Sequence, residues 1–235
     1  PDGAAFALRA KLAEKHGVDF ERVVVGNGSN ELLEILVRTL TRPGDHAVLS
    51  QASFIAYRVV LQCQNIPWAS VPMAPGLVHD LKAMGEAVQP NTRLVFIANP
   101  NNPTGTYNGA SELETLLDTL AALPDPPFVV IDEAYVEYAD AEDYQSSMGW
   151  HARYPRLITL RTFSKCYGLA ALRVGYLITS KEIAGYLRRT RAPFNVNRVG
   201  QVAAAAALDD HEFVERAVAL NTAERARVGA ALAAI

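Results

Sequence analysis

Two periods of hydrophobic and polar positions alternate along this chain. Short apolar, β-branched runs predict strands over 22–25, 46–50, 67–71, 93–98, 128–131, 157–161 and 174–179. Between them, apolar residues recur every three or four positions. Leu32, Leu33, Leu36, Val37 and Leu40 share one face of a helix predicted over 31–40, and Leu113, Leu116, Leu117 and Leu120 do the same after Ser111. Strands alternating with helices predict an α/β fold with a mostly parallel sheet. The runs Arg-Leu-Val-Phe-Ile-Ala and Phe-Val-Val-Ile are almost continuously apolar, as strands covered on both faces must be. Seven such strands without an internal repeat point to one large seven-stranded sheet sandwiched by helices. A last helical stretch begins near Asp210 and reaches Ile235 without a glycine or proline stop, and the chain opens on Pro1 rather than methionine. The expectation is the interior of a longer protein.

Composition narrows the class. The chain has 235 residues, 50% of them hydrophobic and 20% charged. That is long enough to bury a core without disulfide or metal staples, and it excludes a disordered or collagen-like chain. No apolar run approaches the ~18 residues of a membrane span. A net charge of −3 gives no basic surface for nucleic acid, so neither membrane nor nucleic acid is expected as a partner. Two cysteines, Cys63 and Cys166, make no disulfide framework and favour a reducing, cytoplasmic compartment. The five histidines lack metal-ligand spacing, so no metal site is expected.

Ligands of open α/β sheets sit beyond the carboxyl ends of strands, and four of these ends are chemically rich. Gly26-Asn27-Gly28-Ser29-Asn30-Glu31 follows the first strand and opens a helix. Glu31 stands where a dinucleotide fingerprint needs a small residue, and no Gly-Lys pair makes a P-loop. The turn suits a single phosphate on backbone amides, or is an ordinary strand–helix turn capped by Ser29 or Asn30. Asn99-Pro100-Asn101-Asn102-Pro103-Thr104-Gly105 follows the fourth strand, Asp132-Glu133-Ala134-Tyr135 the fifth, and Thr162-Phe163-Ser164-Lys165 the sixth. Only five of 22 basic residues are lysines, and Lys165 alone precedes a small apolar stretch, Gly168 to Leu172. Burial there would favour a neutral, nucleophilic amine; the alternative is a structural pairing with Asp132 or Glu133. Asp132, closing a buried strand, needs a cation or hydrogen-bond donor, which a pyridinium nitrogen would supply. Tyr135 can reach the same pocket, and Arg173 can grip a phosphate together with Thr162, Ser164 and the Ser29 amide.

Taken together and in this order, residues 99–105, Ile131-Asp132-Glu133-Ala134-Tyr135, Thr162-Phe163-Ser164-Lys165 and Ala171-Leu172-Arg173-Val174-Gly175 resemble the fold-type I pyridoxal-phosphate (PLP) aminotransferases. With Gly26 to Glu31 and Pro193-Phe194-Asn195-Val196-Asn197, the resemblance is greatest to the histidinol-phosphate aminotransferase family and covers essentially the whole chain. It implies the large domain of such a transferase, acting on an amino donor and a 2-oxo acid: L-histidinol phosphate with 2-oxoglutarate, in histidine biosynthesis. By resemblance, Lys165 holds the cofactor as a Schiff base and shuttles the proton, and Asp132 keeps the pyridine nitrogen protonated. Tyr135 and Asn102 bond the phenolic oxygen, with a cis Asn102–Pro103 bond. Phe54 stacks on the ring or is a core aromatic. Ser29, Asn30, Thr162, Ser164 and Arg173 hold the phosphate.

The resemblance also implies a homodimer. Residues 1–208 would form the PLP-binding large domain, and 209–235 a connecting helix towards a small C-terminal domain largely absent here. That missing domain would carry the substrate-binding arginine, and an N-terminal arm would precede Pro1. Two other readings are another fold-type I PLP enzyme (an aromatic or aspartate aminotransferase, or a threonine-phosphate decarboxylase) and a catalytically silent PLP-fold regulatory module. A nucleotide-binding enzyme lacks its motifs.

Overall fold

A computed structural model describes residues 2–234, so Pro1 and Ile235, the outer limits of the two predicted segments, lie outside the described residues. In chain order the elements are α1 (Phe6–His16), β1 (Val23–Gly26), α2 (Gly28–Leu40), β2 (His46–Ser50), α3 (Ile55–Cys63) and β3 (Trp68–Val71). There follow β4 (Met73–Ala74), β5 (Val78–His79), α4 (Leu81–Glu86), β6 (Thr92–Ala98), α5 (Ala110–Ala121), β7 (Phe128–Asp132) and β8 (Leu157–Thr162). The last are β9 (Gly175–Ile178), α6 (Lys181–Thr190), α7 (Arg198–Ala207) and α8 (His211–Ala233).

Seven strands form one sheet in the order β1-β9-β8-β7-β6-β2-β3. All seven predicted strands are in it. Only β9 runs antiparallel to its neighbours β1 and β8. Its direction was not legible in a local pattern, because direction is set by the connection and not by the strand. The small β4–β5 hairpin was not expected from the sequence; with two residues per strand it carries no readable period.

Alternation within the strands divides the core in two. Leu94 and Phe96 face Leu32, Leu33 and Leu36 of α2, while Val95 and Ile97 face Leu113, Leu116 and Leu117 of α5. A third cluster packs Leu8 and Leu12 of α1 and Ala204 of α7 against Val23, Val25 and Tyr176. Each fully buried leucine contributes roughly 1.5–3 kcal/mol. By contrast α8 has no buried residue along its 23 positions; its contacts with the body include Val214 against the third cluster, Phe213 near Gly168 and an Arg225–Asp140 ion pair at 2.7 Å. Among the described residues no helix is long and apolar enough to cross a membrane.

Candidate functional site

The sheet order puts the carboxyl ends of β6, β7 and β8 side by side, with the start of antiparallel β9 next to them. A cavity of about 210 Å³ lies there. All ten residues singled out in the sequence line it: Ser29, Asn30, Phe54, Asn102, Asp132, Tyr135, Thr162, Ser164, Lys165 and Arg173. Tyr57 also lines it, and sequence reasoning missed it. Its only signal was its place three residues after Phe54, one helical turn on, in a mainly apolar stretch interrupted by Arg58.

Asp132 is buried, 4% exposed, at the end of β7. Its Oδ2 accepts the Tyr57 hydroxyl at 2.9 Å and its Oδ1 accepts the Ala134 amide at 3.2 Å. No cation lies within ion-pair distance among the described residues. Burial pushes its carboxyl up to about 6, against the opposing pull of the Tyr57 hydrogen bond. Also lining the cavity, Tyr135 and Asn102 present a hydroxyl and an amide 3.4 Å apart. Both Asn102–Pro103 and Asn99–Pro100 are cis.

The start of α2 forms another wall. The cap expected at Ser29 or Asn30 is not there: the helix begins at Gly28, and the Glu31 carboxylate turns back to accept the Asn27 amide at 2.6 Å. Ser29 and Asn30 therefore sit in the first turn, where backbone N–H groups have no partner within the helix. Gly28 has φ +81°, and a Cβ there would lie 2.4 Å from Nη2 of Arg173. The glycine is what lets the guanidinium lie against the amides of that turn. Arg173 donates to the Ala170 carbonyl at 2.9 Å and meets the Ser164 hydroxyl at 3.4 Å, while Ser164 donates its amide to Thr162 Oγ1 at 3.1 Å. Arg173 forms no ion pair among the described residues. Hydroxyls, free amides and an unpaired guanidinium on one wall are the donor set for a phosphate.

Lys165 departs from expectation in its environment. The sequence placed it in a buried apolar site, but its side chain is exposed. The apolar stretch after it turns away into the Ala170–Leu172 turn, so Lys165 stands at the rim, its Nζ 5.2 Å from the Tyr135 ring centroid. The alternative pairing with Asp132 or Glu133 is also absent: Glu133 is taken by Arg161 at 2.7 Å. Lys165 instead divides the first cavity from a second of about 590 Å³, which shares Pro100, Asn102 and Tyr135 with it and is walled by Tyr107, Tyr138, Tyr144 and Arg225.

Comparison with known proteins places the chain as a whole. The chain is 48% identical to histidinol-phosphate aminotransferase 2 of Methylococcus capsulatus, over 98% of this chain and 62% of that protein. It is 46% identical to histidinol-phosphate aminotransferase 2 of Pseudomonas aeruginosa, over 97% of this chain and 61% of that protein. The chain thus spans about three-fifths of the length of the curated relatives it matches. The crystal structure of histidinol-phosphate aminotransferase from Sinorhizobium meliloti, in complex with pyridoxal-5'-phosphate, superposes with a TM-score of 0.89 at 30% identity, covering 97% of this chain and 61% of that one. Thermus thermophilus aspartate aminotransferase with maleate shares the fold, with a TM-score of 0.85 at 23% identity over 99% of this chain and 62% of that one. The family described as aminotransferase class I and II matches residues 2–235, and the chain belongs to it.

Proposed function

We propose that this chain carries the cofactor site of a PLP-dependent aminotransferase that interconverts L-histidinol phosphate and 2-oxoglutarate with imidazole-acetol phosphate and glutamate, a step of histidine biosynthesis. The observation that carries the reading is a separation of unpaired charge. A buried carboxylate without a cation, Asp132, faces one part of the cavity, and an unpaired guanidinium with free amides, Arg173 over α2, faces another. A ligand with a cationic ring N–H and a phosphate fits that pattern, so the residues present fit PLP.

When bound, PLP supplies a carbonyl that condenses with amines and a protonated ring that withdraws electrons from the substrate Cα. On this reading Asp132 holds the proton on the ring nitrogen. Tyr135 and Asn102 bond the phenolic oxygen, and Phe54 covers one face of the ring. Ser29, Asn30, Thr162, Ser164 and Arg173 hold the phosphate. Lys165 provides the primary amine that tethers the cofactor, and carries the proton at the substrate carbon once released. Its place between the two cavities gives the amino donor an approach through the larger one.

The choice of substrate is supported by relatives at 46–48% identity that bear the histidinol-phosphate name. The aspartate aminotransferase, at 23%, speaks for the fold alone. We assign residues 1–208 to the cofactor-binding domain and 209–235 to a connecting helix towards a small domain, a division supported by the lack of buried positions in α8. A cytoplasmic homodimer completes the proposal.

The test is the absorbance of the full-length gene product titrated with PLP, then with L-histidinol phosphate. The wild type should gain the visible band of a lysine-bound cofactor and lose it on adding histidinol phosphate, but respond poorly to aspartate or phosphothreonine. Lys165→Ala should show no such band. A band that histidinol phosphate leaves unchanged would overturn the substrate; no band at all would overturn the cofactor.

A further inference from the structure

Tyr57 is 0% exposed and its ring is fixed on two sides. It stacks on Phe96 at 5.0 Å with an interplanar angle of 14°, and meets Phe54 edge-on at 5.7 Å. A phenylalanine would fill that space equally well. The hydroxyl is therefore not explained by packing, and a buried hydroxyl without a partner is costly. Its partner is Asp132 Oδ2 at 2.9 Å. Conversely, Asp132 has only the longer Ala134 amide contact besides, on Oδ1. The two polar groups account for each other, and each carboxylate oxygen keeps one acceptor site to spare.

We infer that Tyr57 is a positioning residue: its hydroxyl holds Asp132 in the ionised form and anchors the carboxylate so that it can meet a cationic N–H in the cavity. The inference rests on the proposed cofactor reading for what that N–H is, but not for the hydrogen bond. The charged and titratable groups that bear on Asp132 are Tyr57 from α3, Glu133 next to it in the chain and Lys165 from the loop after β8. Of these Tyr57 alone donates a hydrogen bond to the carboxylate. A donor to the charged form favours it, so without Tyr57 the uncompensated burial would favour the protonated acid. A protonated Asp132 cannot balance a cationic ring nitrogen. The same side chain also backs Phe54, so α3 sets two walls of the site through one residue.

The experiment compares Tyr57→Phe with wild type in the full-length protein, with and without PLP. Without PLP, the Asp132 carboxyl is followed by infrared difference titration against Asp132→Asn, which removes its signal. Its midpoint should rise by about one pH unit in Tyr57→Phe. With PLP, affinity at neutral pH should fall about tenfold, and the pH at which binding is lost should move up with the midpoint. An unchanged midpoint in a folded variant overturns the proposal and leaves Tyr57 as packing alone. Wild type that binds no PLP removes the cofactor reading, while the infrared midpoint still decides the role of Tyr57. Should Tyr57→Phe not fold, 3-fluorotyrosine at position 57, a stronger donor of the same shape, should move the midpoint down, and no movement overturns the inference.

Discussion

Asp132 and Glu133 are chain neighbours, both carboxylates and both buried, yet the two sides of the sheet treat them oppositely. Glu133 accepts from Arg161 Nη2 at 2.7 Å and Nε at 3.0 Å, from the Ser146 and Ser147 hydroxyls at 2.9 and 2.8 Å, and from the Ser147 amide at 2.6 Å. Thr159 and His151 extend that network. Asp132 has a phenol and one long amide contact. Adjacent residues at a strand end point to opposite faces, so one step along the chain separates a finished ion pair from an unfinished one. A finished buried pair locks the ends of β7 and β8 together. An unfinished one stores an unmet demand that a ligand can satisfy, and such residues concentrate at functional sites.

The largest effect should come from breaking the finished side. Arg161→Ala leaves Glu133, at 1% side-chain exposure, buried without its cation. The expected loss is about 3–5 kcal/mol, read from denaturant melts. A loss below about 1 kcal/mol would mean that the pair does not lock the strand ends.

The unfinished side should respond with the opposite sign. Asp132 in the folded protein binds its proton more tightly than in the unfolded chain, titrating near 6 rather than 3.8 because of burial. Between pH 4 and 6 the folded state therefore holds more protons, and this group makes stability fall as pH rises. Asp132→Asn removes that cost. Without cofactor it should be up to about 3 kcal/mol more stable than wild type above pH 6 and no more stable at pH 4. With PLP present the order should reverse, since the variant loses the cofactor's stabilisation. Thermal melts from pH 4 to 8, with and without PLP, check both halves.

An effect of similar size and opposite sign belongs to His151, at the far end of the Glu133 network. Burial, assisted by Arg22 and His16, holds its imidazole down at about 4, and its Nδ1 has no partner. The folded state then binds fewer protons than the unfolded chain between pH 4 and 6.5, so here stability rises with pH. His151→Leu should flatten that rise by up to about 3 kcal/mol, and an unaltered acid limb would remove His151 from the account.

Much of this was legible in the chain. The inner sheet strands were readable because strands covered on both faces are apolar almost throughout. Most of the cavity residues were legible because polar groups just past such strands stand out against the run before them, while Phe54 was legible only through the family resemblance. Tyr57 was not, because a tyrosine on the buried face of a helix is indistinguishable from core until its hydroxyl's partner, 75 positions away, is known. Glu133 and Arg161 failed for the same reason, being 28 positions apart.

The sequence by itself determined the periods, and hence which segments become strands and helices. It also determined which side chains are offered at the strand ends, because both follow from local chemistry. Tertiary structure alone decided the direction of β9, the exposure of Lys165, and which of two neighbouring carboxylates found a cation. Those depend on long-range packing, where desolvation and pairing are settled by groups far away in the chain.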